Sequence, residues 1–338
     1  MRAIALLSGG LDSTLAAKVV LEQGIELEAL NFLTVFCNCT NKGETCLASQ
    51  KAVESLGISL RVFNVSEEYL GIVKNPKHGY GSHMNPCIDC RIFMMKKAKE
   101  YMRETGASFL VTGEVLGERP MSQRKDAMRL IEKEAGLEGL ILRPLSAKLL
   151  PPSIPEREGW VDRETLLNMQ GRSRKPQIQL AAIFGIQDYP CPAGGCLLTD
   201  PGFAKRIKDL FVHQPDFTLN DIHLLKVGRH FRFSPKAKLI VGRKEDENQK
   251  IQTFSGEGDL LLKAAHHPGP LSLLRGEFGA EMIERAAAIT ARYGKARDLI
   301  NVEMICRRVS EKASEENPQS LTVTPAAEIE VEKWMIQE

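Results

Sequence analysis

The sequence predicts an α/β fold, in which a parallel sheet has helices on both faces and a smaller α+β domain follows. Three observations lead to this prediction. Short apolar runs alternate with segments of helical periodicity over the first two hundred residues, which is typical of a parallel sheet. The first apolar run enters its helix through a glycine-rich turn. After about residue 208, short alternating runs separated by turns replace this pattern and indicate an antiparallel sheet. We therefore expect domains at 1–205 and 206–338.

The elements of the first domain can be assigned in order. Strands are predicted at residues 3–7, 26–36, 60–65 and 108–112, and helices from residue 13 and at 42–56 and 89–105. A proline-rich run from about 140 to 175 predicts an extended connector, and a basic turn at 172–175 leads into one or two helices. Ligands of such sheets bind at the carboxyl ends of the strands. We therefore expect the loops after the first, second and fourth strands to form one crevice.

Composition limits the classes of protein that fit. The 338 residues are 43% hydrophobic and 26% charged, with a net charge of +2, as in ordinary globular proteins. There is no apolar run of the ~18 residues that a membrane span needs, so no membrane partner is expected. Met1 and Arg2 lead directly into the first strand, which leaves no room for a signal peptide. Eight cysteines in such a chain indicate metal or redox chemistry in the cytoplasm.

The turn after the first strand has the features of an anion site. Residues 6–20 read LLSGGLDSTLAAKVV, with Asp12 or Ser13 in position to cap the helix. Gly9 and Gly10 permit a sharp turn that exposes backbone N–H groups, and the helix N-terminus adds partial positive charge. Phosphate is the anion that this combination favours. The lysine of the Walker loop and the G-x-G-x-x-G spacing of dinucleotide sites are both missing.

The wording SGGLDS resembles the PP-loop of the ATP pyrophosphatases, which split ATP into AMP and pyrophosphate. The resemblance implies that Ser8, Gly9, Gly10, Asp12 and Ser13 bind ATP, with the loop around pyrophosphate and Asp12 at the end where Mg²⁺ meets phosphate. The later stretch TGEVLGERPMSQ resembles a segment of the ATP site in the 4-thiouridine branch of this family. By that resemblance, the ATP-binding residues also include Gly113, Glu114 and Gln123.

Most of the cysteines fall in groups. Cys87 and Cys90 form a C-x-x-C pair at the start of a helix, where the helix field and a neighbouring arginine favour a thiolate. Cys191 and Cys196 form a second group, and Cys37, Cys39 and Cys46 a third. Spacing alone is compatible with a zinc or iron–sulfur site, with thiol catalysis or with idle cysteines. The remaining Cys306 is expected in a mixed apolar helix as a buried thiol.

The stretches NPCIDCR, TGEVLGERPMSQ and ILRPL together resemble the tRNA thiouridine synthases over roughly residues 1–200. The resemblance implies that Cys90 and Cys196 handle sulfur and are catalytic together with Asp12. If a zinc ion or an iron–sulfur cluster is bound, its ligands would come from Cys87, Cys90, Cys191 and Cys196. The sulfur-carrying domain of some family members has no counterpart here, so an external sulfur donor is expected.

The C-terminal third contains a basic stretch with interleaved aromatic residues. The residues expected to bind RNA are Arg229, Arg232, Lys236, Lys238, Arg243 and Lys244. Phe231 and Phe233 lie among them and either stack on bases or belong to the core. The stretches VGRHFRF, KLIVGRKEDEN and AAAITARYGKAR resemble the RNA-binding region of the NFACT family. That resemblance favours RNA as the ligand of the second domain.

These observations predict an ATP-dependent tRNA sulfurtransferase that adenylates a uridine carbonyl and replaces its oxygen with sulfur. Two alternatives stay open from the sequence. One is a nitrogen-transferring ligase of the same loop family with a structural zinc. The other is a non-enzymatic RNA-binding adaptor that responds to nucleotide.

Overall fold

The chain folds into two compact units, Met1–Thr199 and Asp200–Glu338. The computed structural model describes residues 1–37, 44–187, 189, 196–310 and 318–336. Within these ranges, no helix is long and apolar enough to cross a bilayer.

The first unit is built on a five-stranded parallel sheet in the order β3-β2-β1-β4-β5. Its strands are β1 (Arg2–Leu6), β2 (Glu26–Leu33), β3 (Ser59–Asn64), β4 (Phe109–Thr112) and β5 (Ile141–Leu142). Its helices are α1 (Leu11–Leu21), α2 (Glu44–Leu56), α3 (Ser66–Lys74), α4 (Cys87–Thr105), α5 (Lys125–Ala135), α6 (Ile154–Arg157) and α7 (Lys175–Ile183).

Both faces of this sheet are covered by helices, as predicted. Alternate residues of β1 belong to different cores because successive side chains of a strand point to opposite faces. Ala3 and Ala5 pack in one core with α1, α2 and α7. Ile4 packs in the other with α4 and α5. A strand buried on both sides explains why β1 reads as a continuous apolar run.

The structure differs from the predictions in several places. Helix α1 begins at Leu11 with an extended Gly10 as its N-cap, and no side chain caps it, so the predicted cap at Asp12 or Ser13 is wrong. Helix α4 begins at Cys87, two residues before the predicted start. The predicted extended connector contains β5, which pairs with β4 through Ile141 and Leu142. Its two residues are too few to give a strand pattern in the sequence.

The second unit is built on a six-stranded sheet in the order β11-β10-β8-β9-β7-β6. Its strands are β6 (Arg229–Ser234), β7 (Ala237–Val241), β8 (Leu260–Ala264), β9 (Ser272–Gly276), β10 (Val302–Arg308) and β11 (Gln319–Val323). Its helices are α8 (Pro201–His213), α9 (Leu219–Leu225), α10 (Glu245–Thr253), α11 (Ala280–Arg292) and α12 (Glu328–Trp334). All pairings of this sheet are antiparallel, which confirms the predicted α+β architecture.

Cys306 is buried, as predicted, but it lies in β10 and not in a helix. Its strand alternates buried and more exposed residues, and Cys306 pairs with Leu262 on β8 and Gln319 on β11. The tertiary pairing of this segment therefore outweighs its mixed local pattern.

Candidate functional site

The turn between β1 and α1 is held by its own hydroxyl groups. Ser13 Oγ donates to the carbonyl oxygen of Gly10 at 2.9 Å, and Thr14 Oγ1 donates to the same oxygen at 3.0 Å. The backbone N–H of Ser8 donates to Ser13 Oγ at 3.3 Å. These bonds fix the loop in front of the N-terminus of α1, where unpaired N–H groups and the helix dipole favour an anion.

Two glycines let other segments approach this loop closely. Gly9 has φ +76°, and a Cβ there would lie 2.5 Å from the backbone nitrogen of Ser49 on α2. Gly113 directly follows β4, and a Cβ there would lie 2.5 Å from backbone atoms of Asp12 and Ser13. Because neither glycine has a side chain, α2 can approach the loop at Gly9, and the end of β4 can approach the first turn of α1 at Gly113.

Asp12 lies in a half-buried cluster of charged and polar side chains. Arg174 Nη2 is 3.6 Å from Asp12 Oδ2, and the charge of Arg119 also acts on Asp12. Burial raises the pKa of Asp12, and the two arginines only partly oppose this rise. Burial and the charge of Asp12 likewise raise the pKa of Glu118. Gln177 is 1% exposed, and its amide lies close enough to Asp12 to lower the pKa of that carboxyl, but neither the amide atoms nor Asp12 Oδ1 makes a hydrogen bond of ordinary geometry. The cluster thus offers unpaired polar atoms to a ligand.

Glu114 and Gln123, predicted to bind ATP, are both buried. Arg143 Nε donates to Glu114 Oε2 at 2.9 Å, and Arg91 Nε lies 3.7 Å from Glu114 Oε1. Burial alone would raise the pKa of Glu114, but Arg143 and Arg91 hold it below its ordinary value. Gln123 Oε1 accepts from the backbone N–H of Arg119 at 2.9 Å. Glu114 therefore holds α4 beside the loop through Arg91, and Gln123 fixes the backbone at Arg119.

Burial opposes the thiolate that the sequence predicts at the start of α4. Burial raises the pKa of Cys87, and Arg91 and Arg119 only partly offset it. Burial also raises the pKa of Cys90, against the effects of Tyr69 and Arg91. Desolvation therefore outweighs the helix terminus and the arginines.

Cys196 and Cys37 lie in the same region as the C-x-x-C pair. The backbone N–H of Leu197 donates to Phe36 O at 3.1 Å, which sets Cys196 beside Cys37. Burial raises the pKa of Cys196 to about 12, and the neighbouring Cys90, Cys37 and Cys87 add to the rise. None of these four cysteines forms a disulfide within the described part of the chain. The structure thus brings the thiols of Cys90 and Cys196 into one neighbourhood.

No group of three or more His, Cys, Asp or Glu side chains in the described part of the chain is arranged to hold a metal ion. Cys191 and Cys39 lie outside the described residues, as does the side chain of Cys46. The four-cysteine ligand set therefore stays a prediction.

Sequence reasoning missed several residues of this site. Arg174 belongs to the basic turn at 172–175, for which the sequence indicates no function. Gln177 lies three residues further on, in α7. Arg119 lies within the stretch TGEVLGERPMSQ, but it is not one of the residues to which the resemblance assigns ATP binding. Nothing local in the sequence indicates that α7 lies near Asp12, because the two are more than 160 residues apart in the chain.

The predicted RNA-binding residues fall into separate places in the second unit. Arg232 Nη2 donates to Asp209 Oδ2 at 2.6 Å, and Lys238 Nζ lies 3.5 Å from the same oxygen. Burial lowers the pKa of Lys238 to about 8, partly opposed by Asp209. Lys236 is exposed and pairs with Glu277 at 2.7 Å. The other three predicted residues, Arg229, Arg243 and Lys244, line one cavity.

Phe231 and Phe233 are 0% and 6% exposed and pack in the core of the second unit. The alternative that placed them in the core is therefore correct, and base stacking on these two rings is excluded.

Two family models match the chain. Residues 1–148 match the model described as thiamine biosynthesis protein (ThiI), and residues 228–335 match the model described as NFACT protein RNA binding domain. Both resemblances inferred from the sequence are confirmed over these ranges.

Similar proteins point in the same direction. A Finegoldia magna protein named "Probable tRNA sulfurtransferase" is 31% identical over 148 residues, which are 43% of this chain and 36% of that protein. The tRNA-specific 2-thiouridylase MnmA of Rippkaea orientalis is 25% identical over 66% of this chain and 63% of its own. A 4-thiouridine synthetase solved with RNA and ATP aligns at 20% identity over 55% of this chain and 51% of its own, with a TM-score of 0.35, which is too low to carry an argument. The chain spans about a third of the length of the Finegoldia magna protein and less than two thirds of the length of the 2-thiouridylase.

Proposed function

We propose that the chain is an ATP-dependent tRNA sulfurtransferase that adenylates a uridine carbonyl oxygen and replaces that oxygen with sulfur. The observation that carries the proposal is that one short segment after β4 reaches both features of the site. A Cβ at Gly113 would lie 2.5 Å from backbone atoms of Asp12 and Ser13. The next residue, Glu114, lies 3.7 Å from Arg91, which follows Cys90 in α4, so the phosphate-type loop and the thiol pair meet at the end of the same strand. The match to the ThiI model and the names of the relatives support this activity.

ATP would bind with its phosphates at the N-terminus of α1. Asp12 fits a Mg²⁺ ion, because Oδ1 is buried without a hydrogen-bond partner and carboxylate oxygens are ligands that Mg²⁺ prefers. When bound, Mg²⁺ would neutralise charge on the phosphates. Arg119 and Arg174 would contact the pyrophosphate as it leaves, where fixed positive charge stabilises the developing anion.

Sulfur transfer would follow at Cys90 and Cys196. Adenylation turns the uridine oxygen into a leaving group that departs as AMP when sulfur attacks the carbon. One of the two cysteines carries a persulfide delivered by an external donor protein, and the other forms a disulfide with it once the outer sulfur has been transferred. The transferred sulfur is reduced to the oxidation level of sulfide by two electrons, which come from the two cysteines as they form their disulfide. An external dithiol then reduces this disulfide back to two thiols. A zinc ion or an iron–sulfur cluster held by Cys87, Cys90, Cys191 and Cys196 stays an alternative prediction, because Cys191 lies outside the described residues.

Substitution of the cysteines separates the two half-reactions. Cys90→Ser and Cys196→Ser should each abolish the thiolated nucleoside, as measured by mass spectrometry of digested tRNA, while AMP and pyrophosphate still form. Cys306→Ser is the matched control, because it removes a buried thiol from the second unit and should leave both half-reactions intact. Asp12→Asn should abolish AMP formation.

Other outcomes would contradict the proposal. Release of ADP and phosphate by the wild-type protein would exclude the ATP pyrophosphatase reaction. Full thiolation by both cysteine variants would show that Cys90 and Cys196 do not handle the sulfur. Pyrophosphate release without any thiolated nucleoside, together with one bound zinc, would favour the nitrogen-transferring ligase. RNA binding that responds to ATP without any turnover would favour the adaptor.

A further inference from the structure

We propose that the RNA backbone docks in one cavity of the second unit, and not along the whole of the basic strand pair β6-β7. The cavity is lined by Arg229, Arg243, Lys244, Tyr293, Lys295 and Arg297. Lys295 and Arg297 lie some fifty residues beyond the predicted basic stretch. The inference rests on the proposed function, since it takes RNA as the partner.

The cavity has the size and construction of a binding site. It encloses about 620 Å³, which would hold a nucleotide and is far larger than a single phosphate needs. Five segments form it: the start of β6, the turn after β7, the start of α10, the turn at 268–270 and the segment that follows α11. The backbone N–H of Lys295 donates to Pro268 O at 3.0 Å and joins the last two of these segments. The walls are therefore tied together.

The positive charge of the cavity is only partly compensated. Five cationic side chains face two acidic ones, Glu245 and Asp298. Arg297 pairs with Asp298 at 3.4 Å, but the two side chains are 65% and 84% exposed, so the pair contributes little and can exchange for a phosphate. Lys244 pairs with Asp246 at 3.3 Å in a similarly exposed position.

Two arginines of the cavity are held in place. The guanidinium of Arg229 lies 4.3 Å from the centre of the Tyr293 ring, and Arg243 Nη2 donates to Gly228 O at 2.9 Å. A guanidinium fixed in this way loses less conformational freedom when it binds phosphate, and its planar fork fits phosphate oxygens.

The remaining basic residues of the strand pair are engaged elsewhere. Arg232 and Lys238 both pair with the carboxylate of Asp209, and Lys238 is buried. Among the described residues that line the cavity there is no leucine, isoleucine, valine or methionine. An apolar peptide or a lipid chain would therefore find little to pack against, whereas the sugar–phosphate backbone would find matching charge.

Removal of two charges tests this assignment. In the full chain, Lys295→Ser with Arg297→Ser should weaken tRNA binding by about tenfold at moderate salt. The slope of log affinity against log salt should become shallower by about 1.4–1.8, because each lost phosphate contact removes about 0.7–0.9. The matched control, Lys236→Ser with Lys263→Ser, removes the same charge from exposed positions outside the cavity and should change affinity less than about twofold. Fluorescence anisotropy over a salt series measures both, and urea unfolding checks that the variants fold.

Each outcome bears on the proposal. Equal losses in the two double variants would show that only net charge matters and would overturn the cavity, as would unchanged binding in the first. Wild-type protein that binds tRNA normally but forms no AMP would contradict the proposed function and leave the cavity assignment intact. A wild-type chain that binds no RNA would refute both.

Discussion

An alanine at residue 113 should damage the ATP site by steric contact alone. Its Cβ would lie 2.5 Å from backbone atoms of Asp12 and Ser13, whereas ordinary contact begins at 3.4 Å, so β4 and α1 must separate by about 0.9 Å. Overpacking of this kind costs about 1–3 kcal/mol of unfolding free energy. A displacement near 1 Å at a reacting site lowers the rate by about a hundredfold. We therefore expect Gly113→Ala to form AMP and pyrophosphate about a hundred times more slowly with tRNA present.

Gly71→Ala provides the matched control. Gly71 lies in α3, a Cβ there meets nothing within 4 Å, and its φ is not left-handed. This variant should keep the wild-type rate and gain about 0.5–1 kcal/mol of stability, because alanine favours a helix over glycine. If Gly113→Ala matched Gly71→Ala in pyrophosphate release and in urea unfolding, the close approach of β4 to α1 would have no role in the site.

Arg174→Gln should slow AMP formation and shift the acidic limb of its pH profile to higher pH, because Arg174 opposes the rise in pKa that burial causes at Asp12. A limb that does not move would show that Asp12 is not the titrating group. Cys196, with a pKa raised to about 12 by burial, should react with iodoacetamide near neutral pH much more slowly in the folded protein than in urea, and equal rates would contradict its burial. The Cys196 thiol ionises at about pH 9.0 in the unfolded protein but has a pKa of about 12 in the folded one. The free energy of unfolding should therefore fall as the pH rises from 9.0 to about 12. Arg232→Ala should lower stability by about 1–2 kcal/mol, since it removes one partner of the largely buried Asp209 while Lys238 and His213 remain beside it, and it should change tRNA affinity less than about twofold. A large loss of affinity at unchanged stability would place Arg232 at the RNA surface.

Much of the fold could be predicted because it depends on local spacing. The apolar run at β1, the glycine turn after it and the helical period of α4 each occupy a short segment, and the structure has all three. The errors occur where a segment is very short, or where pairing with distant strands decides whether it forms a strand or a helix. β5 has two residues and left no pattern, and β10 became a strand through its neighbours β8 and β11.

The candidate site was predictable to the extent that its chemistry lies in contiguous motifs. Ser8 to Ser13 could be identified because the turn, the glycines and the helix start follow one another in the chain. Arg174 was visible as part of a basic turn, but its partner is more than 160 residues away. No periodicity reports such a contact.

The sequence by itself determined the alternation of strands and helices, the anion-binding turn and the presence of paired cysteines, because each follows from residues close together in the chain. Only the tertiary structure decided the state of the charged groups. The helix start was expected to lower the pKa of the C-x-x-C thiols, yet burial raises it, and Arg232 was expected to contact RNA, yet it pairs with Asp209. The physical reason is the same in both cases: desolvation and ion pairing depend on which distant segments pack around a group.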